Sequence, residues 1–320
     1  MTVSHAPRQI GREDLNEDIN WHVFVDAIDA GHALPRAQVD DVFVGPPGQT
    51  LLSRAAWIDG LGFGVKSVTV FPDNTPKGIP SIQGGMMVFD GDTGNLVATI
   101  DAGLITDLKT AADSVLGATY LARPDSKTLL ILGAGPVAST VAQAYHQVFP
   151  TLEQIRIWNR TPTKAVALAE RLCARGLPVT VADDLPGTCA NADIITTATM
   201  SKDPVLQGNW VRPGCHVDLI GAFREDMREA DDALLCKSRL FVDSRDTTIH
   251  QIGELKIPLS AGVITEADIL GDLYDLRSGF EGRADAQDIT VFKNGGGAHL
   301  DLMIACAVLK ILSVESVQTS

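Results

Sequence analysis

The chain has no run of about 18 apolar residues, the length that spans a bilayer, so no membrane-crossing helix is expected. It has no excess of positive charge either. Lys and Arg number 26 against 40 Asp and Glu, a formal charge of −14, which excludes the basic footprint of a nucleic-acid binder. Its five cysteines, Cys173, Cys189, Cys215, Cys236 and Cys306, form no CxxC or other metal-ligand spacing. They read as reduced thiols in a cytoplasmic protein. The seven histidines include no HExxH and no paired spacing, so no metal site is expected. There is no internal repeat and no low-complexity segment. The first twenty residues lack an apolar stretch and turn acidic after Arg12, which predicts no signal or transit peptide.

What is present is an ordinary globular balance, 45% hydrophobic and 21% charged. At 320 residues the chain is too long for one small core and suits two domains. Helical spacing over 21–34 precedes expected short strands at 50–57, 63–71, 82–90 and 95–101. Asp92, Thr93 and Gly94 supply turn chemistry between the last two. This predicts an antiparallel, hairpin-rich region. A helix capped by Thr106 is expected through TDLKTAADSVLGATYLAR. After Pro124 strands and helices alternate: strand 128–133, helix 136–149, strand 154–158, helix 162–175, then strands in VTVA, DIITT, HVDLIG and LFVD. Alternation of this kind predicts right-handed βαβ units and a parallel sheet. The last apolar helix, AHLDLMIACAVLKIL, follows Gly295, Gly296 and Gly297. It is expected to pack on the first domain or on another subunit.

The strongest local signal is TLLILGAGPVAS, in which Gly133, Ala134, Gly135, Pro136, Val137 and Ala138 follow an apolar strand and open a helix. The first glycine permits a tight turn and the second lets a pyrophosphate approach the backbone. Small Ala138 allows close helix–strand packing, and the helix N-terminus attracts phosphate charge. A Rossmann-type, doubly wound α/β sheet that binds a dinucleotide is expected. The next strand ends in Asn159, Arg160, Thr161 and, a little later, Lys164. A site for NAD would place a carboxylate there, whereas Arg160 can pair with a 2′-phosphate through its planar fork. NADPH is therefore expected over NADH, which stays possible. A solvated arginine at a strand end is the plainer alternative.

One residue breaks the apolar run GVKSVTVF. Lys66 has Gly64, Val68 and Val70 as its same-face neighbours, none of them polar. Arg54 stands on the preceding strand, and Lys109 in the expected first turn of the Thr106 helix, where a cation opposes the helix dipole. Each alone reads as structural. Together they suggest a small anion, such as a carboxylate, held near a helix N-terminus.

At these residues the chain resembles the ornithine cyclodeaminase/mu-crystallin family over nearly its whole length. The carriers are GVKSVTVFPDN, TDLKTAADSVLGATYLAR, ILGAGPVAS, ATMSKDPVL, RPGCHVDLIGAFREDMREAD, GELKIPL and ITVFKNGGGAHLD. The resemblance implies a homodimer. Each subunit would have a substrate and dimerisation domain, of α+β type, over 1–125 with 299–320, and a Rossmann domain over 126–298. It also implies an α-amino or α-imino acid substrate gripped by its carboxylate. Lys66 matches the family's substrate lysine. Lys109 stands where the family has arginine, keeping the charge but losing the bidentate fork. The family's earlier substrate arginine has no clear match, and Arg54 is expected to take over part of its grip.

The main departure follows Gly221. Cyclodeaminases carry an aspartate two positions after that glycine, and here Phe223 stands there. Phenylalanine cannot accept a proton, so ornithine cyclodeamination is not expected. The sequence instead resembles members that reduce Δ1-pyrroline-2-carboxylate and Δ1-piperideine-2-carboxylate. A cyclic imine is expected between the domains, its carboxylate facing Arg54, Lys66 and Lys109, with Phe223 as an apolar wall. Thr197, Ala198, Thr199 and Met200, after the fourth strand of the sheet, are expected beside the cofactor together with Gly221, Asn294 and Gly295. Thr199 reads equally well as a loop cap. The other readings left open are a cyclodeaminase-type lyase, an alanine dehydrogenase-like enzyme and a non-catalytic NADPH-binding protein.

Overall fold

The computed structural model describes residues 6–15 and 18–318. The chain divides into two compact units, Met1–Lys109 with Gly297–Ser320, and Thr110–Gly296.

The first unit is built on a six-stranded sheet. Its strands are β1 (Arg8–Ile10), β2 (Gln38–Val44), β3 (Thr50–Ile58), β4 (Gly62–Val70), β5 (Ile82–Phe89) and β6 (Leu96–Asp101). They lie in the order β1-β6-β5-β4-β3-β2. From β2 to β6 the sheet is an antiparallel meander, and β1 adds in parallel along β6. Helix α1 (Trp21–His32) buries Trp21, Phe24, Val25 and Ile28, the one-sided spacing that drives an amphipathic helix onto a core. The helix packs on the C-terminal helix (Ala298–Gln318), which also lies across β3 and β4. Contact there is close. A methyl group on Gly64 of β4 would come within 2.7 Å of Met86 and 3.0 Å of Leu302.

Helix α2 spans Ala102–Leu121. It starts ahead of the expected Thr106 cap. Asp101 Oδ1 accepts from the Leu104 N–H at 2.7 Å, and the Thr106 hydroxyl, already inside the helix, donates to the Ala102 carbonyl at 2.8 Å. Aspartate at the strand end outcompetes threonine because it satisfies an otherwise orphaned N–H. Lys109 therefore lies beyond the first turn, outside the reach of the helix-terminal field. The expectation of an anion site at this N-terminus is corrected accordingly. The division between the units falls within α2, after Lys109, rather than behind the helix.

The second unit carries an eight-stranded sheet. Its strands are β7 (Thr128–Leu132), β8 (Gln154–Trp158), β9 (Val179–Val181), β10 (Ile194–Thr197), β11 (His216–Leu219), β12 (Arg239–Val242), β13 (Ile269–Gly271) and β14 (Thr290–Lys293). The order is β13-β12-β14-β11-β10-β7-β8-β9, parallel throughout. Strands β7, β10, β11 and β14 are buried along their whole length or nearly so, because both faces are covered. Leu130, Leu132, Ile195, Val217, Leu219 and Val291 join one core. Helices α3 (Pro136–Val148) and α4 (Pro162–Ala174) follow β7 and β8. The strand order reverses at β7, between β8 and β10, the place where doubly wound sheets bind nucleotides. Among the described residues no helix is long and apolar enough to cross a membrane.

Candidate active site

In the first unit, Asp41 on β2, Arg54 on β3, Lys66 on β4 and Met86 on β5 are successive cross-strand partners. Cross-strand partners share a face, and this face is the one the C-terminal helix covers. Lys66 is thus a core-facing lysine, 6% exposed. Its Nζ lies 2.7 Å from Asp301 Oδ1, in the first turn of the C-terminal helix, and donates to the Thr106 hydroxyl at 3.3 Å. Arg54 pairs with Asp41 at 2.8 Å. Lys109 is equally buried, 7% exposed, and makes no ion pair or hydrogen bond among the described residues.

Electrostatics then set what the cluster can hold. Burial pushes the Lys66 ammonium below its ordinary pKa. Asp301 opposes that shift, and Lys109 and Arg54 add to it. His299, on the same helix as Asp301, is held well below its usual value by burial and by the nearby His32, Lys109, Arg54 and Arg36. It is neutral and adds no charge. Lys66 pairs with Asp301 and Arg54 with Asp41, while buried Lys109 has no ion pair among the described residues. One small carboxylate could pair with it. Structure thus brings the three expected cations together and adds two acids that sequence reasoning missed. Asp301 is 235 residues from Lys66 along the chain, and its sole sequence signal is an acid in the first turn of an apolar helix. Asp41 sits in QVDDVFV, whose paired acids hide a strand.

In the second unit the glycine loop crosses the end of β7. Gly133 has φ +124°, and a Cβ there would stand 2.5 Å from the Ala198 carbonyl. Only glycine fits that approach. Gly135 caps α3, with Pro136 at its first position. A Cβ on Gly135 would meet nothing within 4 Å, so the loop has an open cradle at a helix N-terminus. That cradle suits the pyrophosphate of a dinucleotide, with Ala134 and Val137 beside it and Ala138 buried against the sheet. At the end of β8, Asn159 Nδ2 donates to the Thr161 carbonyl at 2.9 Å. Arg160, Thr161 and Lys164 are exposed, placed to reach an anionic group.

The loops after β10 and β11 are tied together by Glu229, a fully buried acid. Its carboxylate accepts from the Thr197 hydroxyl at 2.7 Å, the Thr199 N–H at 2.7 Å and hydroxyl at 2.6 Å, and the Gly221 and Ala222 N–H groups. The Thr197 and Thr199 hydroxyls are therefore engaged in shaping the loops. A Cβ on Gly221 would stand 1.9 Å from the Thr199 carbonyl, so these loops touch. Met200 and Phe223 are left on the surface, 76% and 50% exposed. Asn294 is buried, donating to the Thr110 carbonyl at 3.1 Å and the Ser114 hydroxyl at 2.9 Å. Gly295 N–H donates to Asp243 at 2.9 Å. Sequence reading missed Glu229 because it stands in the run FREDMREADD, which looks like a solvated acidic surface.

Comparison with known proteins identifies the family. A family model described as the ornithine cyclodeaminase/mu-crystallin family matches residues 58–313. A Δ1-pyrroline-2-carboxylate reductase of Paracoccus denitrificans is 52% identical over 311 residues, 97% of this chain and 98% of its own. The rat ketimine reductase mu-crystallin is 35% identical over 240 residues, 75% of this chain and 73% of its own. Among solved structures, the Δ1-pyrroline-2-carboxylate reductase of Thermococcus litoralis, in complex with NADH and L-proline, superposes with a TM-score of 0.88. It is 29% identical, covering 96% of this chain and 98% of that one. With the open glycine cradle at the sheet's reversal point and the lysine-centred cluster of the other unit, these matches establish that the chain belongs to the ornithine cyclodeaminase/mu-crystallin family.

Proposed function

We propose that the chain reduces a cyclic imino acid, Δ1-pyrroline-2-carboxylate or Δ1-piperideine-2-carboxylate, to L-proline or L-pipecolate with NADPH. It is an NAD(P)H-dependent oxidoreductase acting on C=N bonds. The observation that carries the substrate class is buried Lys109, which lacks an ion pair within the described residues and lies close to the Arg54–Asp41 and Lys66–Asp301 pairs. That charge fits one carboxylate. The relatives named for Δ1-pyrroline-2-carboxylate support the ring.

In the proposed mechanism Lys109, together with nearby Arg54 and Lys66, fixes the carboxylate and so orients the imine carbon. The positive charge of Lys109 holds the carboxylate as the anion. Phe223, where cyclodeaminases have aspartate, offers no base, so amine elimination has no acceptor for its proton at that position. Gly133–Ala138 and the loops set by Glu229 hold the dinucleotide, and Asn294 and Gly295 border it. A reduced nicotinamide supplies the hydride to the imine carbon when bound, and the imine nitrogen takes its proton either from solvent, as the iminium, or from Lys66. Preference for the phosphorylated cofactor rests on Arg160, exposed at the end of β8, since the Thermococcus litoralis complex contains NADH. A homodimer is part of the proposal. Edge strand β2 leaves Val42, Phe43 and Val44 exposed, an apolar edge that a second copy would cover. A cytoplasmic location accords with the five free cysteines.

The test is substrate truncation. Δ1-Pyrroline-2-carboxylate should exceed 1-pyrroline, which lacks the carboxylate, by about a hundredfold in kcat/KM, the worth of one strong charge-assisted contact. Equal turnover of both would remove the carboxylate grip.

A further inference from the structure

We infer that Asp301 is the positioning residue of the substrate cluster, its carboxylate holding Lys66 in place as an ammonium ion on the buried face of the first unit. This inference rests on the proposed imine reduction. The geometry is specific. Lys66 has the cations Arg54, its partner on β3, and Lys109 nearby, apolar Met86 as its partner on β5, and the neutral Thr106 hydroxyl of α2 as an acceptor at 3.3 Å. Asp301 is the one acid in contact with it among the described residues, at 2.7 Å, and is itself 1% exposed. The second carboxylate oxygen, Oδ2, is buried and accepts no hydrogen bond among the described residues. Asp301 is therefore not held by a web of other donors, as Glu229 is. Its partner is Lys66.

Two consequences follow. Without its counter-ion, burial and the nearby Lys109 and Arg54 would push the Lys66 pKa further down, and a neutral amine would not attract a carboxylate. The pair is also neutral as a unit: with Asp301 ionised and Lys66 protonated, buried Lys109 is left to meet a substrate carboxylate. Asp301 acts through Lys66 and need not touch the substrate.

The experiment compares wild type, Asp301→Asn, Asp301→Glu and Lys66→Arg. The pH profile of kcat/KM is recorded with Δ1-pyrroline-2-carboxylate and NADPH. The Lys66 side-chain nitrogen is titrated in parallel by NMR of the 15N-lysine-labelled protein, with Lys66→Arg assigning the signal. Activity that needs the ammonium is present below the lysine's midpoint and lost as pH rises through it. Asp301→Asn should therefore move the alkaline limb down by about one pH unit or more. The NMR midpoint should move the same way, and Asp301→Glu should restore both. Lys66→Arg, whose guanidinium does not titrate, should lose that limb altogether. An NMR midpoint that stays in place in Asp301→Asn would overturn the inference. So would a wild-type alkaline limb in Lys66→Arg, a comparison that decides the matter even if Asp301→Asn does not fold. Because the NMR midpoint needs no turnover, it stands apart from the proposed function, which fails separately if wild type reduces no cyclic imine.

Discussion

Replacing Lys66 by methionine keeps most of the side-chain volume and removes the charge, so the cost of a cavity is small. What it leaves is Asp301, 1% exposed, with its ammonium partner gone. Breaking a buried pair from one side costs about 3–5 kcal/mol, because the remaining charge is desolvated and uncompensated. Lys109 and Arg54 stand near enough to lower the Lys66 pKa and will recover part of that, so the lower end, about 3 kcal/mol, is expected. Removing both charges in Lys66→Met/Asp301→Leu should return most of the loss, since a pair replaced by apolar groups is often near neutral. Denaturant unfolding of wild type, both single variants and the double variant closes the cycle. Turnover should fall strongly in all three variants. NADPH affinity, read by nicotinamide fluorescence, should hold, because the glycine loop belongs to the other unit. A Lys66→Met protein within about 1 kcal/mol of wild type in stability, well under the expected loss, or a cycle with no coupling, would refute the buried pair. Wild-type kcat/KM in the same variant would refute the cation cluster.

Arg160→Ala should raise the Kd of NADPH about tenfold while leaving NADH nearly unchanged; equal losses would remove the 2′-phosphate argument. Glu229→Gln would turn an amide N–H toward hydroxyl and backbone donors in the loops after β10 and β11. It should weaken cofactor binding about tenfold, with substrate KM at saturating cofactor little changed; unchanged cofactor affinity would show that these loops do not depend on the acid. Burial pushes the Asp218 carboxyl up to about 7, against the hydroxyls of Thr196 and Ser114. Between its ordinary value and about 7 the folded chain therefore holds a proton that the unfolded chain has released, and this group's contribution to stability falls as pH rises. Asp218→Asn should gain stability relative to wild type across that window, by at most about 1.4 kcal/mol per pH unit; denaturant curves at about pH 5 and about pH 8 would show the difference, and parallel curves would contradict it.

Much of the fold was legible because its signals are local. Strands β3 to β6 and β7 to β12 follow from apolar runs and turn residues, and Gly133, Gly135 and Pro136 mark the start of α3 without ambiguity. Lys66 showed itself as a charge on an apolar strand face, and the structure puts it on the buried face. Strand β2 was missed because Asp40 and Asp41 interrupt its pattern, although Asp41 is there to pair Arg54. The start of α2 was misplaced because two residues could cap it and Asp101 wins. Asp301 and Glu229 act on partners brought in by tertiary structure, at sequence distances where spacing carries no information. The place of β14 between β11 and β12 is likewise set by the packing of the whole sheet, since ITVFK contains no mark of which strands it will join.

The measurement that tests the central claim most directly follows reduced-nicotinamide absorbance with Δ1-pyrroline-2-carboxylate and Δ1-piperideine-2-carboxylate. Each is run with NADPH and with NADH, beside ammonia release from ornithine with NAD+. Rapid oxidation of NADPH by at least one cyclic imine, with no ammonia from ornithine, is the predicted result. Ammonia release without imine reduction would contradict it and assign the lyase reaction to a site in which Phe223 replaces the aspartate.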